Sequence, residues 1–241
     1  GRGNSQFMNA AFVVNPVAFR TVPYSTYGAG FVLLEGTEPI FSFMAIDPVD
    51  HALDGPTNLY GEGVTLAAEL RLPMCLMGLP GHQLIGGTWS NRNVPDLSRL
   101  LLPPGAALPT VSESWSLYWN FDQYLVVDAC DPTRGWGVFG RAGVADDDSN
   151  PLAWFLSFGC GGNSPLCGRE ADTFGMGWYY APASNQLPGL LLGDHGQGVE
   201  CYYNYAATPW MNISPDVQIL DPARRGVDTA FVLGVRVNIR L

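Results

Sequence analysis

The stretch that decides the fold is the last one: Ala230-Phe231-Val232-Leu233-Gly234-Val235-Arg236-Val237-Asn238-Ile239-Arg240-Leu241. Phe231, Leu233, Val235, Val237, Ile239 and Leu241 are apolar, and Val232, Gly234, Arg236, Asn238 and Arg240 fall between them. Side chains of a strand alternate between its faces, so this segment has one greasy face and one face carrying two arginines. A soluble sandwich would turn the greasy face into its core. A membrane barrel would turn it to lipid and the arginines to a wet lumen.

Other segments repeat the pattern. In 114–128, Trp115, Leu117, Trp119, Phe121, Gln123, Leu125 and Val127 alternate with Ser116, Tyr118, Asn120, Asp122, Tyr124 and Val126. In 63–74, Val64, Leu66, Ala68, Leu70, Leu72 and Met74 alternate with Thr65, Ala67, Glu69, Arg71 and Pro73. In 198–207, Val199, Cys201, Tyr203, Tyr205 and Ala207 alternate with Glu200, Tyr202, Asn204 and Ala206. Weaker candidates are 27–36, 39–48, 81–94, 135–146, 152–163, 172–184 and 211–220. The total is about eleven strands, most of about 10 to 14 residues, whereas soluble strands average nearer 5 or 6 and tilted membrane strands need about 9 to 11. Length therefore favours the barrel.

Short connections are expected at Glu38-Pro39 and Asp131-Pro132-Thr133, and long polar ones at 47–62, 91–113 and 186–197. That asymmetry belongs to outer-membrane barrels. Tyr179, Tyr180, Trp210 and Trp89 sit near segment ends, as aromatic girdles would.

Composition agrees. Of 241 residues 47% are hydrophobic and only 14% charged, a poor charge complement for a soluble domain, where about a quarter is usual. No apolar run reaches the ~18 residues of a membrane helix. With 29 Gly and 19 Pro, long helices are disfavoured. All 12 basic residues are arginine and the net charge is −10, which excludes nucleic acid as a partner. The histidines His51, His82 and His195 are too scattered for a metal site, and no cofactor is implied. No nucleotide or hydrolase motif occurs, leaving a barrel hydrolase built on a serine with His82 or His195 as a minor reading. Asp146-Asp147-Asp148 reads as a solvated turn ahead of a cation site. Cys160 and Cys167 enclose Gly161-Gly162-Asn163-Ser164-Pro165-Leu166; a small disulfide-closed loop and two reduced thiols both suit this spacing.

Several stretches, in order, resemble the carbohydrate-selective porin family, the OprB-type outer-membrane channels. They are Gly135-Trp136-Gly137-Val138-Phe139-Gly140-Arg141, Gly168-Arg169-Glu170-Ala171-Asp172-Thr173-Phe174-Gly175-Met176-Gly177 and Val199-Glu200-Cys201-Tyr202-Tyr203. Thr208-Pro209-Trp210-Met211-Asn212-Ile213-Ser214-Pro215-Asp216-Val217-Gln218 and Val232-Leu233-Gly234-Val235-Arg236 follow. Phe7-Met8-Asn9 and Asn15-Pro16 match more loosely upstream. The resemblance implies an all-β fold, an antiparallel transmembrane β-barrel in the bacterial outer membrane. The family's barrel is sixteen-stranded and usually trimeric. About eleven strands leave its N-terminal strands missing, so residues 1–241 read as a single barrel domain, the C-terminal portion of a longer barrel. Another chain supplying the strands, or a smaller barrel, are the alternatives.

The expected function is passive diffusion of small sugars, without catalysis. The polar strand faces nominate Glu69, Arg71, Tyr118, Asp122, Arg141, Glu200, Tyr202, Asn212, Asp216, Arg236 and Arg240 for the lumen, with Tyr124 as a further aromatic. Each could touch solute or only stiffen the wall. Arg169 and Asp172 are expected to pair and fix a loop at the barrel mouth. A plugged structural barrel and a soluble glycan-binding sandwich compete with the pore; an apolar face packed into a dry interior would select the sandwich.

Overall fold

The alternation is realised as eleven long antiparallel strands in one continuous sheet. The computed structural model describes residues 6–53, 55–100, 106–129, 131, 133–187 and 193–240. The sheet order is β1 (Gly28–Glu35), β2 (Glu38–Ile46), β3 (Thr65–Leu76), β4 (Leu79–Ser90), then β7 (Ser114–Val127), β8 (Gly135–Ala145) and β9 (Trp154–Asn163). It continues through β10 (Thr173–Pro182), β11 (His195–Thr208), β12 (Met211–Asp221) and β13 (Ala230–Ile239). The omitted pair, β5 (Val94–Pro95) with β6 (Thr110–Val111), forms a small ladder inside the 91–113 connection. Each long strand pairs with its sequence neighbour, the meander of an up-and-down barrel wall.

Strand length is what a membrane requires. The strands run from 8 residues in β1 to 14 in β7 and β11. Ten residues at a rise of about 3.4 Å, tilted about 45°, span roughly 24 Å, close to the height of a barrel's apolar band.

The two faces are opposite in character to those of a soluble sheet. Phe231, Leu233, Val235 and Val237 are 64, 70, 72 and 55% exposed, so the greasy face of β13 points outward and not into a dry core. That rules out the sandwich. Among the described residues 22 buried side chains are polar or charged and only 9 are apolar, the inverted distribution of a barrel with a wet interior. Outward aromatics cluster near both strand ends: Trp89, Trp115, Trp154 and Tyr180 near one, Trp136, Phe174, Tyr205 and Trp210 near the other. Tyr179 departs from the expected girdle. Its alternation partner Tyr180 faces out, so Tyr179 faces in, and its ring packs 5.8 Å from Phe12.

All tight turns lie at one sheet end. Met77 and Gly78, with φ of 55° and 78°, form the two-residue β3–β4 turn, whose left-handed backbone matches the twist of the flanking strands. The first turn is Gly36-Thr37; Glu38 and Pro39, expected there, already pair as strand β2. Pro132, Leu241 and part of the 186–197 connection lie outside the described residues. Long connections at 47–64, 91–113 and 183–194 occupy the opposite end. In the first, the buried Asp47 accepts the backbone N–H groups of Tyr60 (2.6 Å) and Val49 (2.9 Å). The strand expected over 81–94 stops at Ser90. That expected over 114–128 has a register shift between Tyr124 and Val126, so Leu125 and Val126 are both exposed.

The expected Cys160–Cys167 bridge is not formed; both are free thiols. Cys160 lies three residues inside β9, and those residues carry the chain about 10 Å before the loop holding Cys167 begins. A disulfide needs Cα atoms within about 7 Å.

Because strands alternate in direction, β1 and β13 run the same way. Each is paired on one side only among the described residues. Antiparallel closure between them takes an odd number of further strands, and closure is the only way to leave no edge in lipid.

Candidate functional site

The inner face of the sheet carries the candidate site. On β3, β4 and β7, the register sets Glu69, Gly86 and Tyr118 in one row. Gly86 has no side chain, so the Tyr118 hydroxyl reaches across it and donates to Glu69 Oε1 at 2.7 Å. A Cβ on Gly86 would come within 2.5 Å of the Tyr118 ring. Nearer the short-turn end, His82 Nδ1 lies 2.9 Å from Asp122 Oδ2, and Arg71 Nη1 donates to Glu38 Oε2 at 2.8 Å. On β8, the Arg141 guanidinium lies 5.4 Å from the Phe139 ring centroid, and its Nη1 is buried without a hydrogen-bond partner.

The opposite part of the wall is occupied differently. A strap, residues 6–22, crosses the inner face and includes two 3-10 turns, Ala10–Phe12 and Pro16–Arg20. Glu200 on β11 is fully buried beneath it and accepts the N–H of Met8 at 2.6 Å and of Asn9 at 2.8 Å. Arg236 on β13 donates to the Gln6 carbonyl at 2.6 Å. The Phe7 ring packs edge-on against Phe139 (5.4 Å) and Tyr202 (5.0 Å). Asp216 accepts from Gln218 Nε2 at 2.8 Å, and Asn212, four residues earlier on β12, is also buried. Farther along, Asn15 Nδ2 donates to the Ala142 carbonyl, and Thr65 Oγ1 to that of Thr21. Among the described residues the buried apolar cluster forms where strap and sheet meet, with Ala11 and Val17 of the strap against Ala145 on β8 and Phe155 on β9.

Ten of the eleven nominated lumen residues thus sit on the inner face. Arg240 does not. It follows the last residue of β13, its side chain is exposed, and only its backbone N–H is engaged, with the Trp210 carbonyl. Arg71, Asp122, Arg141, Tyr202 and Tyr124 come together around a cavity of about 460 Å³, which also touches Gln6, Phe7 and Phe12. Glu200, Asp216 and Arg236 are set apart under the strap. Strap and cavity together supply residues the periodicity did not nominate: His82, Asn120 and Phe139 on the wall, and Phe7, Phe12 and Val17 above it. Phe7-Met8-Asn9 and Asn15-Pro16 were the available signal for the strap, since a segment without regular period carries no face information.

At the short-turn mouth, Arg169 and Asp172 form a bidentate pair, with Nε–Oδ2 at 2.7 Å and Nη2–Oδ1 at 2.6 Å. Tyr203 donates its hydroxyl to Asp172 Oδ2 at 2.7 Å and Ala206 its N–H to Oδ1 at 2.8 Å. The Arg169 guanidinium also stacks 3.9 Å over the Tyr205 ring. Burial works to raise the Asp172 pKa, but the Arg169 guanidinium, the Tyr203 hydroxyl and the Ala206 N–H outweigh it and hold it below the usual carboxylate value. Its hydrogen bond to Asp172 likewise holds Arg169 above its ordinary value. The arrangement ties the 164–172 loop to β11. Among the described residues no three His, Cys, Asp or Glu side chains gather as a cation site.

This geometry can hydrogen-bond a hydroxylated solute from donors and acceptors on one wall while presenting hydrocarbon to lipid. A high-pH structure of OprB from Pseudomonas putida is similar, with a TM-score of 0.71, 19% identity, and coverage of 84% of this chain and 56% of that one. The low-pH structure of the same protein matches with a TM-score of 0.52 and 14% identity, over 83% of this chain and 50% of that one. The chain therefore spans little more than half the length of the solved structures it matches, and at these identities the likeness concerns the fold. No curated protein matches the chain. Residues 2–241 match the model of the carbohydrate-selective porin family, OprB, and the chain belongs to that family.

Proposed function

We propose that this chain forms a large part of the wall of an outer-membrane channel through which small carbohydrates diffuse passively. The observation that carries the reading is the two-faced sheet: exposed aliphatic and aromatic side chains outside, and a polar inner face lining an open cavity. A neutral polyol is held there by exchangeable hydrogen bonds, donated by Arg71 and Arg141, accepted by Asp122, and shared with Asn120 and His82, all of which line the cavity. Mixed donors and acceptors bind a sugar weakly enough to release it, which conduction requires. Glu69 and Tyr118, already bonded to each other, line the path beyond. Glu200, Asp216 and Arg236 serve the wall and strap. Nothing in this role calls for catalysis.

In this reading residues 1–241 are one barrel domain, the C-terminal portion of a longer barrel, with outer-membrane lipid around it. The trimer implied by the sequence resemblance is part of the proposal and is tested by the mass of the detergent-extracted protein. The strap favours a second reading, a barrel plugged by its own chain. Planar-bilayer conductance of the detergent-extracted native protein, titrated with neutral mono- and disaccharides, separates the two. Steps of current blocked in a sugar-dependent way support the channel. Folded protein that never conducts selects the plugged barrel.

A further inference from the structure

We infer that the turn between β12 and β13, which carries Arg224 and Arg225, seats the phosphate-bearing headgroup of an outer-leaflet lipid whose acyl chains lie along the apolar outer face below. The inference rests on the outer-membrane placement of the barrel and not on conduction. β11 and β12 are joined by Pro209-Trp210 at the short-turn end, so the connection 222–229 stands at the opposite end, with the long loops. In an outer-membrane barrel that end is extracellular and meets the outer leaflet. The chain has a net charge of −10, and two arginines of the connections at this end are neutralised. Arg92 Nε lies 2.9 Å from Glu62 Oε2, and Arg99 Nε 3.5 Å from Asp96 Oδ2. Arg224 and Arg225 are exposed and, among the described residues, have neither an ion pair nor a side-chain hydrogen bond. The carboxylates nearest in the chain do not engage them: Asp221 accepts from Gln197 Nε2 at 3.5 Å, and Asp228 pairs with neither arginine.

The backbone presents the two cations together. The Val227 N–H donates to the Arg224 carbonyl at 3.3 Å, and Gly226, the third residue of this turn, takes a φ of 75°, a left-handed value that glycine adopts without strain. Arg225 thus occupies the first corner, with Arg224 immediately before it. The Gly193 N–H donates to the Ala223 carbonyl at 3.3 Å and ties the turn to the neighbouring connection. Below it on the lipid face come the register partners Ile219 and Phe231, then Val217 and Leu233, all four exposed. Guanidinium forks match phosphate oxygens, and the hydrocarbon wall beneath them matches acyl chains. Free phosphate would use only the first feature and an uncharged lipid only the second. A lipid with a phosphorylated head uses both.

The test uses the purified native protein in detergent micelles free of divalent cations. It is titrated with bisphosphorylated lipid A, with the same lipid stripped of its phosphates, and with inorganic phosphate. Calorimetry reads the dissociation constants, and heat-dependent gel mobility reports the folded barrel. Wild type is expected to bind lipid A, and the double variant Arg224→Gln/Arg225→Gln to bind it about tenfold or more weakly, because Gln lacks the charge-assisted bonds of a guanidinium. The single variants, each expected to lose part of the affinity, stand in if the double variant does not fold. Arg99→Gln, which removes a paired arginine of the same end, is expected to leave binding unchanged. Dephosphorylated lipid bound as tightly as lipid A overturns the phosphate contact. Inorganic phosphate that displaces lipid A at equal concentration overturns the lipid seat, since the apolar face then contributes nothing. Equal losses in Arg99→Gln and in the double variant overturn the assignment to this turn, and folded wild type that binds no lipid A overturns the inference as a whole. None of these readings depends on current through the pore, so the channel reading stands or falls separately.

Discussion

Gly177 lies directly beneath Phe12: a Cβ at 177 would come within 2.6 Å of Phe12 Cε1, and Phe12 is almost wholly buried. The strap and the sheet therefore meet at a contact with no spare volume. Gly177→Ala is expected to destabilise the folded protein by about 1–3 kcal/mol, the usual cost of overpacking. The urea midpoint of protein refolded into lipid vesicles reads this. An unchanged midpoint would mean the strap is free to lift.

Val235 stands at the middle of β13 on the outward face, 72% exposed. Val235→Arg is expected to cost about 2–4 kcal/mol in a bilayer, as charge on the lipid face does near the midplane. Asn238→Arg, on the inner face, is expected to change little. Vesicle unfolding with equal losses for the two variants would contradict the orientation of the strand.

The Asp172 carboxyl has a folded pKa below its unfolded value of about 3.9, so it adds stability above that pH and loses it as the pH falls through the folded value. The 164–172 loop is expected to hold from neutral pH to about 4 and to loosen in stronger acid. Asp172→Asn should cost about 1–3 kcal/mol at pH 7, and the gap to the wild type should close at low pH. Thermal unfolding of both proteins across pH checks this; a gap that widens in acid has the wrong sign.

Arg141 faces the cavity with Nη1 unpartnered. Under the proposed function, Arg141→Gln should weaken block of the channel current by a neutral sugar about five- to tenfold, the loss of roughly one hydrogen bond. The measurement is the sugar concentration giving half block. Unaltered block would remove Arg141 from the solute path.

Cys167 is an exposed free thiol, and Cys160 a half-buried one on the outer face of β9. A water-soluble maleimide is expected to label Cys167 equally with and without prior reduction. Labelling that needs a reductant would restore the bridge expected from the spacing.

Much of this was legible along the chain because a strand's period of two is a local property. The Phe231-to-Ile239 alternation placed its apolar face correctly, and Glu69, Arg71, Asp122, Glu200 and Asp216 all fell on the inner side. Failures cluster where the period breaks. Leu125 and Val126 are displaced by a register shift, Arg240 lies past the last ladder pair, and the Glu38-Pro39 turn slid two residues upstream. Tyr179 looked like a girdle residue because sequence position does not say which way a strand's end faces.

What the sequence by itself determined is the two-sided sheet: alternation, strand length and low charge together leave few structures able to hide a polar face and expose a greasy one. What only the tertiary structure decided is the use of the inner face. Glu200 and Arg236 look like any other lumen charges until Met8 and Gln6 are seen to rest on them, 192 and 230 positions away in the chain. Gly143, Gly175 and Gly177 read as strand interruptions until Val17, Phe7 and Phe12 are placed over them. Contacts at such separation have no period to betray them. They arise because the irregular strap must satisfy its backbone hydrogen bonds and bury its rings somewhere, and the closely fitting wall is where it does both.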